Sequence, residues 1–147
     1  MTTLKDPPKN ILVPIDFSEQ SEKAATAACA LAQKTGGTVH FLHAYVIPVE
    51  SVGLAHTVSQ DYVEQFIKDS TAQLQELASK LCAGAILGPF LVVSGDPREV
   101  ITAKAKELNA ELIVMGTHGR RGLTRALMGS VAENVARTAH CSVLVVR

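Results

Sequence analysis

Residues 112–130 decide the fold of this chain, and they read Leu112-Ile113-Val114-Met115-Gly116-Thr117-His118-Gly119-Arg120-Arg121-Gly122-Leu123-Thr124-Arg125-Ala126-Leu127-Met128-Gly129-Ser130. The first four residues form a short apolar run, which is typical of a buried parallel strand. Ser130 and Glu133 have the spacing of a capping box, which predicts a helix that begins with Ser130 as its cap. A glycine-rich, basic loop therefore leads from the end of a strand into the start of a helix.

This loop has the features of a phosphate-binding segment. Glycines let the backbone approach an anion closely, and the free N–H groups at a helix start attract phosphate. Arg120, Arg121 and Arg125 add positive charge to the same loop. No Gly-Lys-Ser/Thr follows, so the loop is not a Walker loop, and it also lacks the G-x-G-x-x-G spacing of a dinucleotide fingerprint.

The rest of the chain alternates apolar runs with amphipathic stretches. Strands are predicted at 10–16, 38–46, 89–94, 112–115 and 142–146, and helices lie between them. This alternation predicts an α/β fold: a three-layer, doubly wound, Rossmann-like domain with a five-stranded parallel sheet of order 3-2-1-4-5 and helices on both faces. We expect residues 1–9 to be a flexible N-terminus and residues 10–147 to be a single domain.

The predicted strand order places Asp16 and the glycine-rich loop that begins at Gly116 at one crevice. In such sheets, ligands bind at the carboxyl ends of the strands where the strand order reverses, here between the first and fourth strands. The first strand ends at Asp16, with Pro14 near its end because proline cannot donate to a ladder. The fourth ends at Gly116, so we expect the Asp16 carboxylate to lie opposite the glycine loop.

Composition narrows the class of protein. The chain has 147 residues and a formal net charge of zero, so neither nucleic acid nor an anionic membrane is indicated as a partner. Its three cysteines are scattered and form no CxxC pair, which argues against a disulfide framework or a zinc site. The sequence predicts that they are small apolar fillers in a reducing compartment, and the polar N-terminus predicts a cytoplasmic protein.

Several segments together resemble the ATP-binding branch of the universal stress protein family. They are Ile11-Leu12-Val13-Pro14-Ile15-Asp16-Phe17-Ser18, Leu42-His43-Ala44, Gly95-Asp96-Pro97, Val114-Met115-Gly116-Thr117-His118-Gly119, Gly129-Ser130-Val131-Ala132-Glu133 and Cys141-Ser142-Val143-Leu144-Val145-Val146. The resemblance covers the chain from about Asn10 to its end. It implies a fold like that of the adenine nucleotide alpha hydrolases.

The resemblance also implies a set of ligand-binding residues. Residues matching Pro14, Asp16 and Ala44 line the adenosine side, with Ala44 acting through its backbone. Adenine, ribose and phosphates are held by residues matching Met115, Gly116, Gly119, Gly129, Ser130 and Val131. We further expect phosphate contacts from His118, Arg120 and Arg121, and Mg²⁺ or Mn²⁺ held with the nucleotide by Asp16 and Ser130.

Each of these side chains has a simpler alternative role. Asp16 can cap the first helix, His118 can be an exposed loop residue, and the arginines can form a solvated face. Two other histidines, His40 and His43, do not have the spacing of a metal pair and are predicted to be structural.

Tyr62 and Phe66 lie on the apolar stripe of a long helix and are predicted to be core residues.

By this resemblance, the predicted function is that of a dimeric, ATP-binding regulator in a stress response. The resemblance implies a homodimer formed through residues 142–146, an apolar edge strand that needs covering. No clear base for water is recognised, so hydrolysis or autophosphorylation is expected to be slow at most. The alternatives are a nucleotide-free dimeric interaction module and, with less support in so short a chain, an adenylyl-transferring enzyme.

Overall fold

The computed structural model describes residues 6–47, 59–118 and 127–147, and these form a parallel β-sheet with helices on both faces. The strands are β1 (Asn10–Pro14), β2 (Thr38–Tyr45), β3 (Ile86–Leu87), β4 (Leu91–Ser94), β5 (Leu112–Gly116) and β6 (Ser142–Val146). The helices are α1 (Glu19–Thr35), α2 (Gln60–Leu81), α3 (Pro97–Glu107) and α4 (Ser130–Thr138). The predicted α/β class is confirmed.

The sheet has the predicted strand order with one added piece. Its main path runs β3-β2-β1-β5-β6, and β4 also pairs with β2. β4 matches the third strand predicted at 89–94, whereas the two-residue β3 lies before that range and was not predicted. All pairs are parallel, with Ile11 opposite Val39 on one side and opposite Leu112 on the other. The reversal between β1 and β5 therefore opens a crevice at the carboxyl edge of the sheet.

Local sequence signals set most of the helix ends. Ser18 caps α1 by accepting from the Ser21 amide, and the helix stops at Gly36, whose φ of 70° is left-handed. Asp96 caps α3 by accepting from the Arg98 amide, and Pro97 takes the first helical position, where its missing N–H costs nothing. These caps fix where α1 and α3 begin, beside the carboxyl ends of β1 and β4.

The sheet separates two apolar cores. One lies between the sheet and α1 with α2, and it includes Val13, Phe41 and Leu74. The other lies under α3 and α4, and it includes Leu12, Leu42 and Ile113. The prediction that Tyr62 is a core residue is wrong, since 60% of it is exposed on the first turn of α2. Phe66 is half-buried, one helical turn further along.

The cysteine prediction is wrong for two of the three residues. Cys29 of α1 and Cys82, the residue that ends α2, form a disulfide with their Cα atoms 5.2 Å apart. Both are buried, and the bond joins the two helices that cover one face of the sheet. Only the packing of α1 against α2 brings these cysteines together, because 53 positions separate them in the sequence. Cys141 is free and half-buried.

None of the helices in the described ranges is both long enough and apolar enough to cross a membrane.

Candidate functional site

The crevice at the carboxyl ends of β1 and β5 encloses about 240 Å³, which is room for a small organic molecule rather than a single water. It brings together most of the residues predicted to bind a ligand: Pro14, Asp16, Ala44, Met115, Gly116, His118, Gly129, Ser130 and Val131. Three further predicted residues, Gly119, Arg120 and Arg121, lie outside the described ranges. Asp16 after the end of β1 and Ser130 at the start of α4 therefore line the same crevice, although more than a hundred positions separate them in the sequence.

The floor and walls of the crevice are largely apolar. Leu42 and Met115 come from the sheet, and Ile101 and Val131 come from α3 and α4. These walls include residues that the sequence analysis did not select: Ile15, Ser21, Leu42, Pro97, Ile101, Thr117 and Ala132. For Pro97 and Ile101, the Gly95-Asp96-Pro97 segment is the sequence feature that could have indicated a place in the crevice, because it starts α3 there.

The start of α4 differs from the prediction in a way that matters for binding. Gly129, not Ser130, is the N-cap, and no side chain caps the helix. The Gly129 amide donates to the Thr117 carbonyl at 2.6 Å. Within the described ranges, no hydrogen bond uses the amides of Ser130, Val131 or Ala132. Unpaired N–H groups at the positive end of a helix favour an anion. The Ser130 hydroxyl likewise makes no hydrogen bond to another described residue.

Gly129 is a glycine because of space rather than backbone conformation. Its φ of −64° suits any residue, but a Cβ atom would lie 2.9 Å from the Thr117 carbonyl oxygen. Gly116 is similar: a Cβ there would lie 2.8 Å from the backbone of Gln20 in the first turn of α1. These two glycines allow α1 and α4 to approach the end of β5 closely.

Asp16 supplies the carboxylate of the crevice. Its Oδ1 accepts from the Ser18 amide at 3.0 Å and from the Ser18 hydroxyl. Asp16 is therefore not the cap of α1. Its carboxylate instead binds Ser18, the residue that caps this helix. Among the described residues its Oδ2 takes part in no hydrogen bond, so this oxygen remains available to a ligand.

Both ring nitrogens of His118 are occupied by protein partners. Nδ1 is 2.9 Å from the Thr117 hydroxyl, and Nε2 bonds the Leu127 carbonyl. A carbonyl only accepts, so Nε2 carries a proton and Nδ1 of the neutral ring accepts from Thr117. His118 thus joins the residues on either side of segment 119–126.

The described crevice contains no cluster that would bind a metal on its own. No group of three or more His, Cys, Asp or Glu side chains suited to a metal occurs in residues 6–47, 59–118 and 127–147. Asp16 and Ser130 do line the same crevice, and each has an oxygen that no described hydrogen bond uses. Such a sparse oxygen pair suits Mg²⁺ bound together with phosphates, because Mg²⁺ keeps several waters and takes few protein ligands.

The fold defines a doubly wound α/β protein with a crevice at the reversal of its strand order. Residues 8–147 match the model of the universal stress protein family, and the chain belongs to that family. A universal stress protein of Methanocaldococcus jannaschii is 35% identical over 141 residues, covering 95% of this chain and 82% of that protein.

Solved structures agree with this assignment. The universal stress protein UspA from Lactobacillus plantarum is 28% identical, with a TM-score of 0.72 over 95% of this chain and 97% of that one. A universal stress protein from Archaeoglobus fulgidus, solved in complex with dAMP, is 26% identical, with a TM-score of 0.64 over 94% of this chain and 97% of that one.

Proposed function

We propose that this protein binds an adenine nucleotide in the crevice, and that ATP with Mg²⁺ is the physiological form. The observation that carries the proposal is the start of α4, which has no side-chain cap and whose residues Ser130 and Val131 line the same crevice as Asp16. A donor array for phosphate thus lies opposite a carboxylate suited to ribose or a metal. The relative solved with dAMP supports an adenine nucleotide as the ligand.

In this proposal, each part of the nucleotide contacts a different part of the crevice. Adenine lies among the apolar walls near Pro14, Ala44 and Met115, and Asp16 Oδ2 accepts from ribose or holds the cation. The phosphates meet Gly129, Ser130 and Val131 and, from the loop outside the described residues, Gly119, Arg120 and Arg121. When bound, Mg²⁺ neutralises phosphate charge, and the Asp16 carboxylate and Ser130 hydroxyl would hold it.

The same geometry favours binding over catalysis. Phosphoryl transfer to water needs a group that orients the water beside the terminal phosphate. His118 lines the crevice, but both of its ring nitrogens are engaged with Thr117 and Leu127. The proposed function is therefore that of a nucleotide-dependent regulator in a stress response, acting in the cytoplasm, with slow hydrolysis or autophosphorylation at most.

A homodimer through β6 is part of the proposal. This strand pairs only with β5 among the described elements, so its other edge presents unpaired backbone groups. Leu144 is 44% exposed on it, although it is a large apolar residue. Pairing with a second copy of β6 would cover both features symmetrically.

Calorimetric titration with ATP and Mg²⁺ tests the proposal. Ala44→Leu places extra volume in the crevice, and it should weaken ATP binding by about 5- to 150-fold, since overfilling a packed site costs about 1–3 kcal/mol. Ala30→Leu makes the same change on the exposed face of α1 and should leave binding unchanged. If the unmodified protein binds no ATP at millimolar concentration, the nucleotide-free interaction module replaces this proposal.

A further inference from the structure

His43 makes an unusual contact beside the crevice. It lies on β2, and its Nδ1 is 2.8 Å from the carbonyl oxygen of Ile15, the residue just past the end of β1. The carbonyl can only accept, so Nδ1 carries the proton and donates it. The Ile15 amide donates to the Leu42 carbonyl at 2.7 Å. Ile15 is thus held to β2 by its own amide and by the imidazole of His43.

This contact replaces a bond that the sheet would otherwise make. In a parallel ladder, a residue that donates to one position of the neighbouring strand accepts from the amide two positions further on. Ile15 donates to Leu42, so its carbonyl would accept from the Ala44 amide. No such bond forms between these two described residues, and the Ile15 carbonyl accepts from His43 instead.

The consequence is a backbone amide at the crevice, that of Ala44, which donates to none of the described residues on the β1 side. Amides along a strand point alternately to the two neighbouring strands, so the Ala44 amide points to the β1 side, as the Leu42 carbonyl does. Ala44 lines the crevice, and β1 has ended at that level. The amide is therefore directed at the space where a ligand would lie.

The ring of His43 is held in this position by aromatic neighbours. Its centroid is 4.8 Å from that of Phe17 and 6.5 Å from that of Phe66 on α2. Phe17 has a φ of 62°, a left-handed conformation that non-glycine residues rarely adopt. The imidazole thus contacts the residues on both sides of Asp16, Ile15 by a hydrogen bond and Phe17 by packing.

We propose that His43 is a positioning residue that ends the β1–β2 ladder one bond early and so reserves the Ala44 amide for the ligand. The ladder part of this proposal concerns the protein alone. The ligand part rests on the proposed function, because it takes the nucleotide base to be the acceptor for this amide.

Three substitutions separate the hydrogen bond from the ring. His43→Phe keeps an aromatic ring between Phe17 and Phe66 but removes the donor. His43→Asn places an amide N–H close to the position of Nδ1, and His43→Gln places one further out, near the position of Nε2. If the Nδ1 donor is what matters, His43→Asn should behave like the unmodified protein, while the other two should not.

Amide hydrogen exchange in the absence of ligand tests the ladder directly. In His43→Phe the Ile15 carbonyl loses its donor, and we expect the Ala44 amide to pair with it, because a buried carbonyl without a partner is costly. Exchange at Ala44 should then slow by about tenfold or more, and His43→Asn should restore fast exchange. Equal exchange rates at Ala44 in the unmodified protein and in His43→Phe would overturn the proposal.

Titration with ATP and Mg²⁺ tests the ligand part. His43→Phe and His43→Gln should weaken binding by roughly 3–10-fold, the value of one hydrogen bond, and His43→Asn should stay close to the unmodified protein. Equal affinity in all three variants would overturn the ligand part. Absence of binding in the unmodified protein would instead be a failure of the proposed function, and the exchange experiment would still decide the role of His43 in the ladder.

Discussion

Asp16 accepts hydrogen bonds through one carboxylate oxygen from both the amide and the hydroxyl of Ser18, the residue that caps α1. The Ser18 hydroxyl oxygen in turn accepts from the Ser21 amide at 3.2 Å. The acid of the crevice and the start of the first helix therefore form one network. Asp16 has a structural role through Oδ1 and a proposed ligand role through Oδ2, and substitutions can separate these roles.

Asp16→Asn should separate stability from binding. Asparagine keeps an oxygen that accepts from Ser18, so the free energy of unfolding should change by less than about 0.5 kcal/mol. Loss of the negative charge should weaken binding of ATP with Mg²⁺ by about tenfold or more, since hydrogen bonds to charged groups contribute roughly 1.5–3 kcal/mol. Denaturant unfolding and calorimetry measure the two effects.

Two further variants complete this comparison. Asp16→Ala should lose binding and also about 1 kcal/mol of stability, because Ser18 loses its acceptor. Asp69→Asn, on the exposed face of α2, should change neither quantity. Full ATP affinity in Asp16→Asn would exclude a role for the carboxylate charge.

Stability should fall as the pH drops below about 6.5, and His40 should contribute to that fall. His40 is 8% exposed, and its Nδ1 has no partner among the described residues. The ring packs tightly against Gly88, since a Cβ on that glycine would lie 2.3 Å from Nδ1. Burial lowers the pKa of His40 in the folded protein, so the unfolded chain binds the proton more readily. The stabilisation is complete above the unfolded pKa and is lost as pH falls through the folded pKa.

Urea unfolding between pH 7.5 and pH 5, roughly spanning the ordinary histidine pKa, measures this dependence. One proton sets a limit of about 1.4 kcal/mol per pH unit on the contribution of His40. His40→Gln should flatten the slope, whereas His140→Gln, at an exposed position, should leave it unchanged. An identical slope in the unmodified protein and in His40→Gln would contradict the assignment.

The Cys29–Cys82 disulfide should be visible in a thiol count. In denaturant without reductant, one thiol should react, that of Cys141, and after reduction all three should react. Reduction should lower the free energy of unfolding by about 2–4 kcal/mol, because the bond closes a long loop in the unfolded chain. Cys141→Ser should leave this loss unchanged, and three reactive thiols before reduction would show that the bond is absent in solution.

The outward edge of β6 provides a test of the dimer. The Thr117 amide donates to the Val146 carbonyl at 3.0 Å, so the backbone groups of Val146 and Leu144 face β5. By alternation the Val145 amide faces the free edge. Val145→Pro should remove an outward donor while keeping the internal ladder, and edge strands tolerate proline at such positions.

Sedimentation measures the outcome of this change. We expect the unmodified protein to sediment as a dimer at micromolar concentration and Val145→Pro to shift toward monomer. Leu144→Pro is the contrasting variant, since it breaks a bond to β5 and should reduce stability as well. A monomeric unmodified protein would contradict the β6 dimer.

The fold could be predicted from the sequence because its signals are local and regular. The apolar runs around Ile11 and Ile113 have strand length, and the helix starts at Ser18 and Asp96 follow ordinary capping rules. Handedness and alternation then leave few topologies. The strand order alone then predicts that Asp16 and Ser130 lie at the same crevice, as they do.

The errors arose where packing in three dimensions decides the outcome. Ser130 matched a capping box, but the tight contact of Gly129 with Thr117 moved the cap by one residue. Tyr62 had helical spacing yet lies on the first turn of α2, beyond the packed part of that helix. The disulfide depends on the contact of α1 with α2, and no spacing rule predicts a contact between such distant residues.

The role of His43 was also beyond sequence reasoning. Its neighbours Leu42 and Ala44 belong to a recognisable segment, but the donor role depends on the chain leaving β1 at Ile15. A histidine on a strand is most often structural, and only the register between β1 and β2 shows which bond it replaces.

The most direct test of the central claim is an amide-resolved NMR titration of the unmodified protein with ATP and Mg²⁺. We predict that the amides of Ala44, Ser130 and Val131 shift together along one saturable curve, since β2 and α4, the two elements that carry them, line one crevice. Saturable binding that leaves these three amides unmoved, with shifts confined to another surface, would contradict the assignment of the nucleotide site.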